Sequence, residues 1–97
     1  MTEAEQTEIE AAVYRRLRDH LNARPDLQNI DLMILADFCR NCLGKWYHAA
    51  AQEIDVELDA NSARDTVYGM PYADWKAAHQ RPATAEQMAA FETRRTR

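Results

Sequence analysis

Apolar residues four positions apart, in stretches that few glycines or prolines interrupt, are the feature that most constrains this fold. The first stretch carries Ile9, Val13, Leu17 and Leu21. This spacing places all four side chains on one side of a helix. The helix must end before Pro25, because a proline pushes the residue before it towards an extended conformation. The sequence therefore predicts a first helix over about residues 3–23.

The longest predicted helix covers about residues 29–53, with Asn29 as its N-cap. Residues 54–58 alternate apolar and acidic side chains, but no second run can pair with them, so they are predicted to form a connector. Three short helices should follow, over about residues 60–68, 71–81 and 84–95. The predicted fold class is all-α: a single compact domain, residues 1–97, of two long antiparallel helices plus three short C-terminal helices.

Caps and glycines mark several of these boundaries. Asp59 is a good N-cap for the helix at 60–68, and Thr84 with Gln87 has the pattern of a capping box. Gly69 follows a predicted helix, where a left-handed residue commonly ends the last turn. Gly44 lies inside the longest predicted helix, so alanine should be neutral or stabilising there unless another helix packs closely.

The charge and hydropathy of the chain exclude several classes of protein. The net charge is −4, whereas a nucleic-acid-binding domain normally carries a basic surface. No apolar run approaches the ~20 residues that a membrane-spanning helix requires. The N-terminal residues are acidic and polar, unlike those of a secretory signal. We therefore expect a cytoplasmic protein that binds neither nucleic acid nor membrane.

The segment DFCRNCLGKWY (37–47) contains both cysteines of the chain, Cys39 and Cys42, in a C-x-x-C pattern. On a continuous helix both would lie on the apolar side, between Leu35 and Trp46, about three turns from the helix start. That position favours cysteines buried in the core, since a reactive thiol needs access and a nearby cation or helix N-terminus. The alternative is a metal- or thiol-dependent protein centred on this pair.

A metal site and a catalytic site both depend on His20. A structural site for zinc or another transition metal needs about four ligands, of which Cys39 and Cys42 would supply two and His20 a third. The favoured interpretation of His20 is an interface histidine hydrogen-bonded to Asp26 or Asp31, and the alternative is that such a pair acts as a general base. No nucleophile or phosphate-binding loop accompanies it. We therefore predict no cofactor and no catalytic residue, which leaves enzyme activity undecided and favours binding over catalysis.

Aromatic residues gather in two places, WY at 46–47 and VYGMPYADWK at 67–76. They either close one end of the core or form a partner interface, where aromatic residues and methionine are enriched. The long second helix also offers more apolar surface than three short helices can cover. The sequence thus predicts a protein-interaction or self-assembly module, most simply a homodimer. The predicted interface consists of Trp46, Tyr47, Tyr68, Met70, Tyr72 and Trp75.

Two blocks of the sequence, NIDLMILADFCRNCLGKWY and the later VYGMPYADWK, resemble the small bacterial domain-of-unknown-function 1244 family. Their order and separation match those of the family, and the flanking lengths fit as well. The resemblance implies a compact all-helical domain without an established biochemical activity. Ile34 and Asp37 stand where the family more usually has Asn and Gly, a difference expected to affect only the outer surface of the helix.

Overall fold

A computed structural model describes residues 1–96, which form six α-helices and a final 3₁₀ turn but no β-strand. The helices are α1 (Glu3–Asn22), α2 (Asn29–Ala36), α3 (Arg40–Glu53), α4 (Ala60–Tyr68), α5 (Tyr72–His79) and α6 (Ala85–Thr93), and the 3₁₀ turn is Arg94–Thr96. The all-α prediction is confirmed. The single helix predicted over residues 29–53 is wrong, because α2 and α3 divide that segment, and the arrangement of two long antiparallel helices is not confirmed. None of the helices within residues 1–96 combines the length and the apolar composition needed to cross a membrane.

Capping side chains begin two of the C-terminal helices where the sequence predicts them. Asp59 Oδ1 accepts a hydrogen bond from Ser62 N at 2.7 Å and opens α4. Thr84 and Gln87 form the reciprocal pair of a capping box at the start of α6, with distances of 2.9 and 3.0 Å. These bonds satisfy backbone N–H groups that have no partner inside the helix.

The break between α2 and α3 lies at Asp37, whose φ of 58° is in the left-handed region. Its N–H donates to Met33 O at 3.1 Å, which closes the last turn of α2. Cys39 then has an extended backbone, with φ −146° and ψ −177°, and α3 begins one residue later. Asp37 Oδ1 also accepts a hydrogen bond from Arg94 Nη1 at 3.2 Å, so the end of α2 is joined to the residue that follows α6.

Arg40, the first residue of α3, is fully buried (0% exposed). Its guanidinium donates four hydrogen bonds: one to the last turn of α1, two to the connection after α1 and one to the first residue of α2. Nη2 donates to Leu21 O at 3.1 Å and to Arg24 O at 2.9 Å. Nη1 donates to Leu27 O at 2.7 Å and to Asn29 Oδ1 at 3.1 Å. The guanidinium also lies 5.1 Å from the centre of the Trp75 ring, a cation–π contact. Arg40 thus ties α1, α2, α3 and α5 together.

The hydrophobic core lies where the end of α1, α2, the start of α3 and α4 meet. Its buried cluster consists of Leu21, Leu32, Cys39, Leu43 and Val67, and the partly buried residues packed against it are Leu27, Met33, Phe38 and Cys42. Tyr68 and Trp75 extend the core towards α5, with each ring 2% exposed and the two centroids 4.9 Å apart. The core is thus formed by residues of α1, α2, α3, α4 and α5.

The two glycines lie at the end of α4 and at its contact with α3. Gly69 ends α4 with φ 69°, which confirms the predicted left-handed conformation. Gly44 brings α3 against α4: a Cβ there would lie 3.0 Å from Arg64 Cα and 3.3 Å from Arg64 Cβ. Both distances are shorter than the optimal separation of two carbons. The condition attached to Gly44 therefore holds, since another helix does pack closely at that position.

Apolar residues that the helical pattern placed in the core are exposed. In α1, Ile9, Val13 and Leu17 are 53%, 64% and 40% exposed, and Leu21 is the one buried residue within Glu3–Asn22. Leu35 is 78% exposed, because the break after α2 removes it from the side that carries the cysteines. The radius of gyration is 15.3 Å, against ~13 Å for a compact domain of this length. The first turns of α1 thus extend beyond the core.

Gln28, just before α2, positions the C-terminal part of the chain. It is buried, its Nε2 donates to His79 O at 3.0 Å, and its Oε1 accepts from Arg81 N at 2.9 Å. Asp31 Oδ1 accepts from Gln87 Nε2 at 2.9 Å, which joins α2 to α6. Two polar side chains near the start of α2 therefore fix the end of α5 and the beginning of α6.

Replacing Arg40 with lysine tests the guanidinium contacts. A lysine ammonium is a point charge with three donors and does not reproduce the planar fork that reaches four separate oxygens. We expect Arg40→Lys to lower the free energy of unfolding by about 3 kcal/mol, because buried carbonyl groups lose their partners. Urea unfolding followed by circular dichroism measures the change. The control is Arg24→Lys, at an exposed ion pair, which should shift stability by no more than ~0.5 kcal/mol; equal effects of the two variants would contradict the role of Arg40.

Gly44→Ala tests the close packing of α3 on α4. Alanine favours a helix by about 1 kcal/mol over glycine, but here the added methyl meets backbone of α4 and must push the helices apart, which costs about 1–3 kcal/mol. We therefore expect a net loss of stability and a lower melting temperature. Lys45→Ala, at the next and exposed position, should leave the melting temperature nearly unchanged. A stabilised Gly44→Ala protein would mean that α4 lies farther from α3.

Asp37→Gly and Asp37→Ala together test the break between α2 and α3. Both variants lose the exposed hydrogen bond to Arg94, but the alanine variant keeps a Cβ in the left-handed region, whereas the glycine variant has none. We expect the glycine variant to be more stable than the alanine variant by about 1 kcal/mol. Thermal unfolding of the two proteins measures the difference. The opposite order, with alanine the more stable, would indicate a helix that continues through residue 37.

Candidate functional site

The C-x-x-C pair lies at the very start of α3. Cys39 is the N-cap residue and Cys42 is in the first turn, with their Sγ atoms 3.9 Å apart and both thiols free. The prediction that they lie three turns inside a helix is therefore wrong. The prediction of core cysteines is confirmed for Cys39, which is 8% exposed, whereas Cys42 is only half-buried against the same cluster.

Two opposing effects act on the thiol of Cys39. Burial raises its pKa and is the larger effect, while the N–H groups of Cys42 and Asn41 act in the opposite direction by favouring the thiolate. Cys39 is therefore a protonated thiol at neutral pH. Cys42 is the more accessible sulfur of the pair, so any reagent that reaches the site meets Cys42 first.

The structure does not bring His20 to the cysteines. His20 is exposed near the end of α1, in a shallow depression that it shares with Val13, Arg16, Leu17 and Asp19. Within residues 1–96, no three side chains of histidine, cysteine, aspartate or glutamate are grouped so that they could hold a metal ion. The alternative of a metal centre formed by Cys39, Cys42 and His20 thus has no ligand set in the described part of the chain.

A polar network that sequence reasoning missed lies beside Arg40. The Tyr68 hydroxyl donates to Asn41 Oδ1 at 2.7 Å and accepts from Asn29 Nδ2 at 3.0 Å. Burial raises the pKa of Tyr68 to about 12, which keeps the hydroxyl protonated as both bonds require. The sequence signal was Asn41, which lies inside the predicted helix, where asparagine is a poor helix former. The network orders the start of α3 around the thiol pair.

An open cleft of about 800 Å³ lies over this network, between the starts of α2 and α3 on one side and α5 with the segment after it on the other. Asn29 and Asn41 belong to its lining, together with Tyr72 and the two cations Lys76 and Arg81. No carboxylate, histidine or cysteine is present among the described residues that line it. The cleft can therefore admit a polar or anionic molecule, but it holds no carboxylate or imidazole for general acid–base chemistry.

The aromatic residues predicted as an interface divide between core and surface. Tyr68 and Trp75 are 2% exposed and belong to the core, which is the first of the two interpretations that the sequence left open for the aromatic residues. Tyr72 is half-buried, with its ring 4.1 Å from the Arg64 guanidinium. The exposed members of the predicted set are Trp46, Tyr47 and Met70. An interface role for any of the six remains a prediction.

A row of exposed apolar side chains follows one side of α1. Its residues were not among those that the sequence predicted as an interface. We name Ile9, Val13 and Leu17 the α1 stripe; each is at least 40% exposed. Beside it, Tyr14 contacts Tyr47 of α3, with the ring centroids 6.3 Å apart. The hydroxyl of Tyr14 is buried and has no hydrogen-bond partner among the described atoms. The spacing of the stripe was visible in the sequence, but the spacing alone does not say what covers it.

These features define a small all-helical protein with a thiol pair at a helix start, a polar cleft and an uncovered apolar helix face. The sequence model of a family described as "Protein of unknown function (DUF1244)" matches residues 27–93, which is more than half of the chain. The protein therefore belongs to the DUF1244 family. No curated protein matches the chain significantly. The matched segment begins after α1, so it includes the thiol pair and the cleft but not the α1 stripe.

Proposed function

We propose that this protein is an interaction module that forms a homodimer through the α1 stripe. The observation that carries the proposal is the exposure of Ile9, Val13 and Leu17 on a 20-residue helix whose one buried residue among those described, Leu21, lies near its C-terminal end. Exposed apolar side chains are common singly, but a contiguous row of them on one side of a helix indicates a surface that another molecule covers.

The stripe has the geometry of a helix–helix contact. Its residues follow one another at intervals of four, so at ~1.5 Å per residue they extend along about 12 Å of the helix. A row with this spacing packs against a second helix when its ridges enter the grooves of the partner. Burying three such side chains contributes roughly 1.5–3 kcal/mol each relative to leaving them in water. In a homodimer both copies bury this row, so its contribution to the binding free energy counts twice. A second copy of the chain is therefore a suitable partner.

The charges of α1 favour a second copy in antiparallel orientation. The first half of α1 is acidic, with Glu3, Glu5, Glu8 and Glu10. The second half is basic, with Arg15 and Arg16, neither of which forms an ion pair with another described residue. When two α1 helices lie antiparallel, the acidic half of each lies beside the basic half of the other. A parallel pair would place like charges together, which is unfavourable. A two-fold axis between the copies produces the antiparallel arrangement directly.

Part of the aromatic interface predicted from the sequence fits the same surface. Tyr47 lies against Tyr14 of α1, so it adjoins the α1 stripe and belongs to the proposed interface. Trp46 and Met70, 57% and 39% exposed, extend the apolar surface available to a partner. The proposal keeps the cytoplasmic and bacterial setting expected from the sequence, and it assigns binding rather than catalysis to the surface.

Val13→Glu tests the dimer. The substitution places a carboxylate in the middle of the α1 stripe, where the antiparallel pair would bury two of them together. We expect the wild-type protein to sediment as a dimer at micromolar concentration and the variant to sediment as a monomer of 11.2 kDa. Circular dichroism should show unchanged helix content, because residue 13 is exposed in the single chain.

The matched control is Ala12→Glu, which makes the same charge change one residue away on an exposed position outside the stripe. This variant should remain dimeric. A wild-type protein that stays monomeric throughout the concentration range would overturn the homodimer. A dimer that survives Val13→Glu would rule out the α1 stripe as its interface.

A further inference from the structure

We propose that Cys39 and Cys42 form a reversible intramolecular disulfide, which makes the start of α3 a thiol–disulfide exchange site for low-molecular-weight disulfides. This activity goes beyond the proposed dimer and uses a different part of the molecule. It stands on the positions of the two sulfurs, on the backbone of Cys39 and on the unequal exposure of the pair.

The sulfurs are already close. The Sγ atoms lie 3.9 Å apart, and a disulfide brings two sulfurs to about 2.05 Å. Rotation of the two side chains must therefore supply a shift of roughly 2 Å, which rotamer changes of a cysteine readily provide. The residues Arg40 and Asn41 between them are held by their hydrogen bonds, so the backbone presents both thiols in a fixed relation.

The backbone of Cys39 removes the strain that a disulfide within a regular helix would carry. Inside a helix, the Cβ atoms of residues three apart point in directions that fit a disulfide poorly. Cys39 has an extended backbone, with φ −146° and ψ −177°, and stands outside the helix as its N-cap. Its side chain is therefore free of the helical direction, and it turns towards Cys42 in the first turn.

Because the two thiols differ in exposure, they react with an incoming disulfide in a fixed order. Cys42 is half-buried and Cys39 is 8% exposed within the core cluster. An incoming disulfide therefore reaches Cys42 and not Cys39. Cys39 lies directly behind Cys42, so the sulfur within its reach is Cys42 Sγ, which it attacks once Cys42 carries a mixed disulfide. An exchange that ends in an internal disulfide needs one thiol that the oxidant can reach and a second thiol beside it. Cys42 and Cys39 have these two positions.

The reaction balances with one small disulfide, R–S–S–R, as the oxidant. The Cys42 thiolate attacks one sulfur of R–S–S–R, the S–S bond breaks, and one R–S⁻ leaves from a mixed disulfide on Cys42. Cys39 loses its proton and attacks Cys42 Sγ, which forms the Cys39–Cys42 bond and releases the second R–S⁻. The protein loses two electrons and two protons, and the oxidant becomes two thiols. Excess R–SH reverses both steps.

The experiment uses the full chain in its native state with mixtures of reduced and oxidised glutathione. After equilibration the samples are quenched with acid, alkylated and weighed by intact-mass spectrometry. We expect oxidising mixtures to give a protein that has lost both alkylatable thiols and two hydrogens, with no glutathione attached. Added reduced glutathione should restore both thiols, and circular dichroism should show the same helix content in both forms.

Two variants separate the roles of the sulfurs. In Cys39→Ser, Cys42 should hold one glutathione as a stable mixed disulfide, because no second thiol displaces it. In Cys42→Ser, the enclosed Cys39 should acquire glutathione only when the protein is unfolded in urea. The wild-type result decides the proposal even if a variant fails to fold.

Three outcomes would overturn the inference. The first is a wild-type protein that keeps both thiols or stops at the mixed disulfide in every oxidising mixture. The second is a disulfide that forms only in urea, and the third is one that links two chains instead of two residues of one chain. None of these outcomes depends on the oligomeric state, so failure here is distinguishable from failure of the proposed dimer.

Discussion

The structure depends on one buried guanidinium. Removing a charged group from water is costly unless its donors are satisfied, and Arg40 meets this cost with carbonyl and amide oxygens rather than a carboxylate. One of these oxygens, on Leu21, belongs to the last turn of α1, where the helix dipole favours a cation, and a second, on Arg24, lies just after the helix. Burial lowers the pKa of Arg40, but the dipole and the Trp75 ring favour the charged form. Within the Arg40 guanidinium, the buried Nε has no hydrogen-bond partner among the described residues.

Both candidate sites follow from where Arg40 attaches. It holds the last turn of α1 and leaves the earlier turns free of the core, so the α1 stripe is exposed although its spacing is that of a buried helix face. It also fixes the first turn of α3, which places Cys39 inside the cluster and Cys42 at its edge. The same residue therefore separates the chain into a fixed body and an extended helix. The interaction surface lies on the extended helix, and the thiol pair lies in the fixed body.

The sequence predicts well those features that depend on neighbouring residues and poorly those that depend on distant ones. The all-α class, the caps at Asp59 and Thr84 and the left-handed Gly69 are local and were all predicted. The break at Asp37 was missed, since apolar spacing continues through it and aspartate is not an obvious helix end. The signal was the glycine that the resembled family more usually has there, because glycine is the residue that a left-handed φ favours. The burial of Arg40 was not predicted, because a periodic pattern treats any charged residue as surface.

The break between α2 and α3 explains both the burial of Arg40 and the geometry of the thiol pair. In a continuous helix over residues 29–53, Arg40 would point to solvent and the end of α1 would have no guanidinium to satisfy its last carbonyls. The cysteines would then sit at regular helical positions, where a disulfide is strained. The left-handed residue at Asp37 and the extended Cys39 reset the direction of the chain within three residues. That reset turns Arg40 inward, frees Cys39 from the helical direction and opens α3 with Cys42 in its first turn. The burial of Arg40 and a thiol pair that can form a disulfide are thus two consequences of one change in backbone direction.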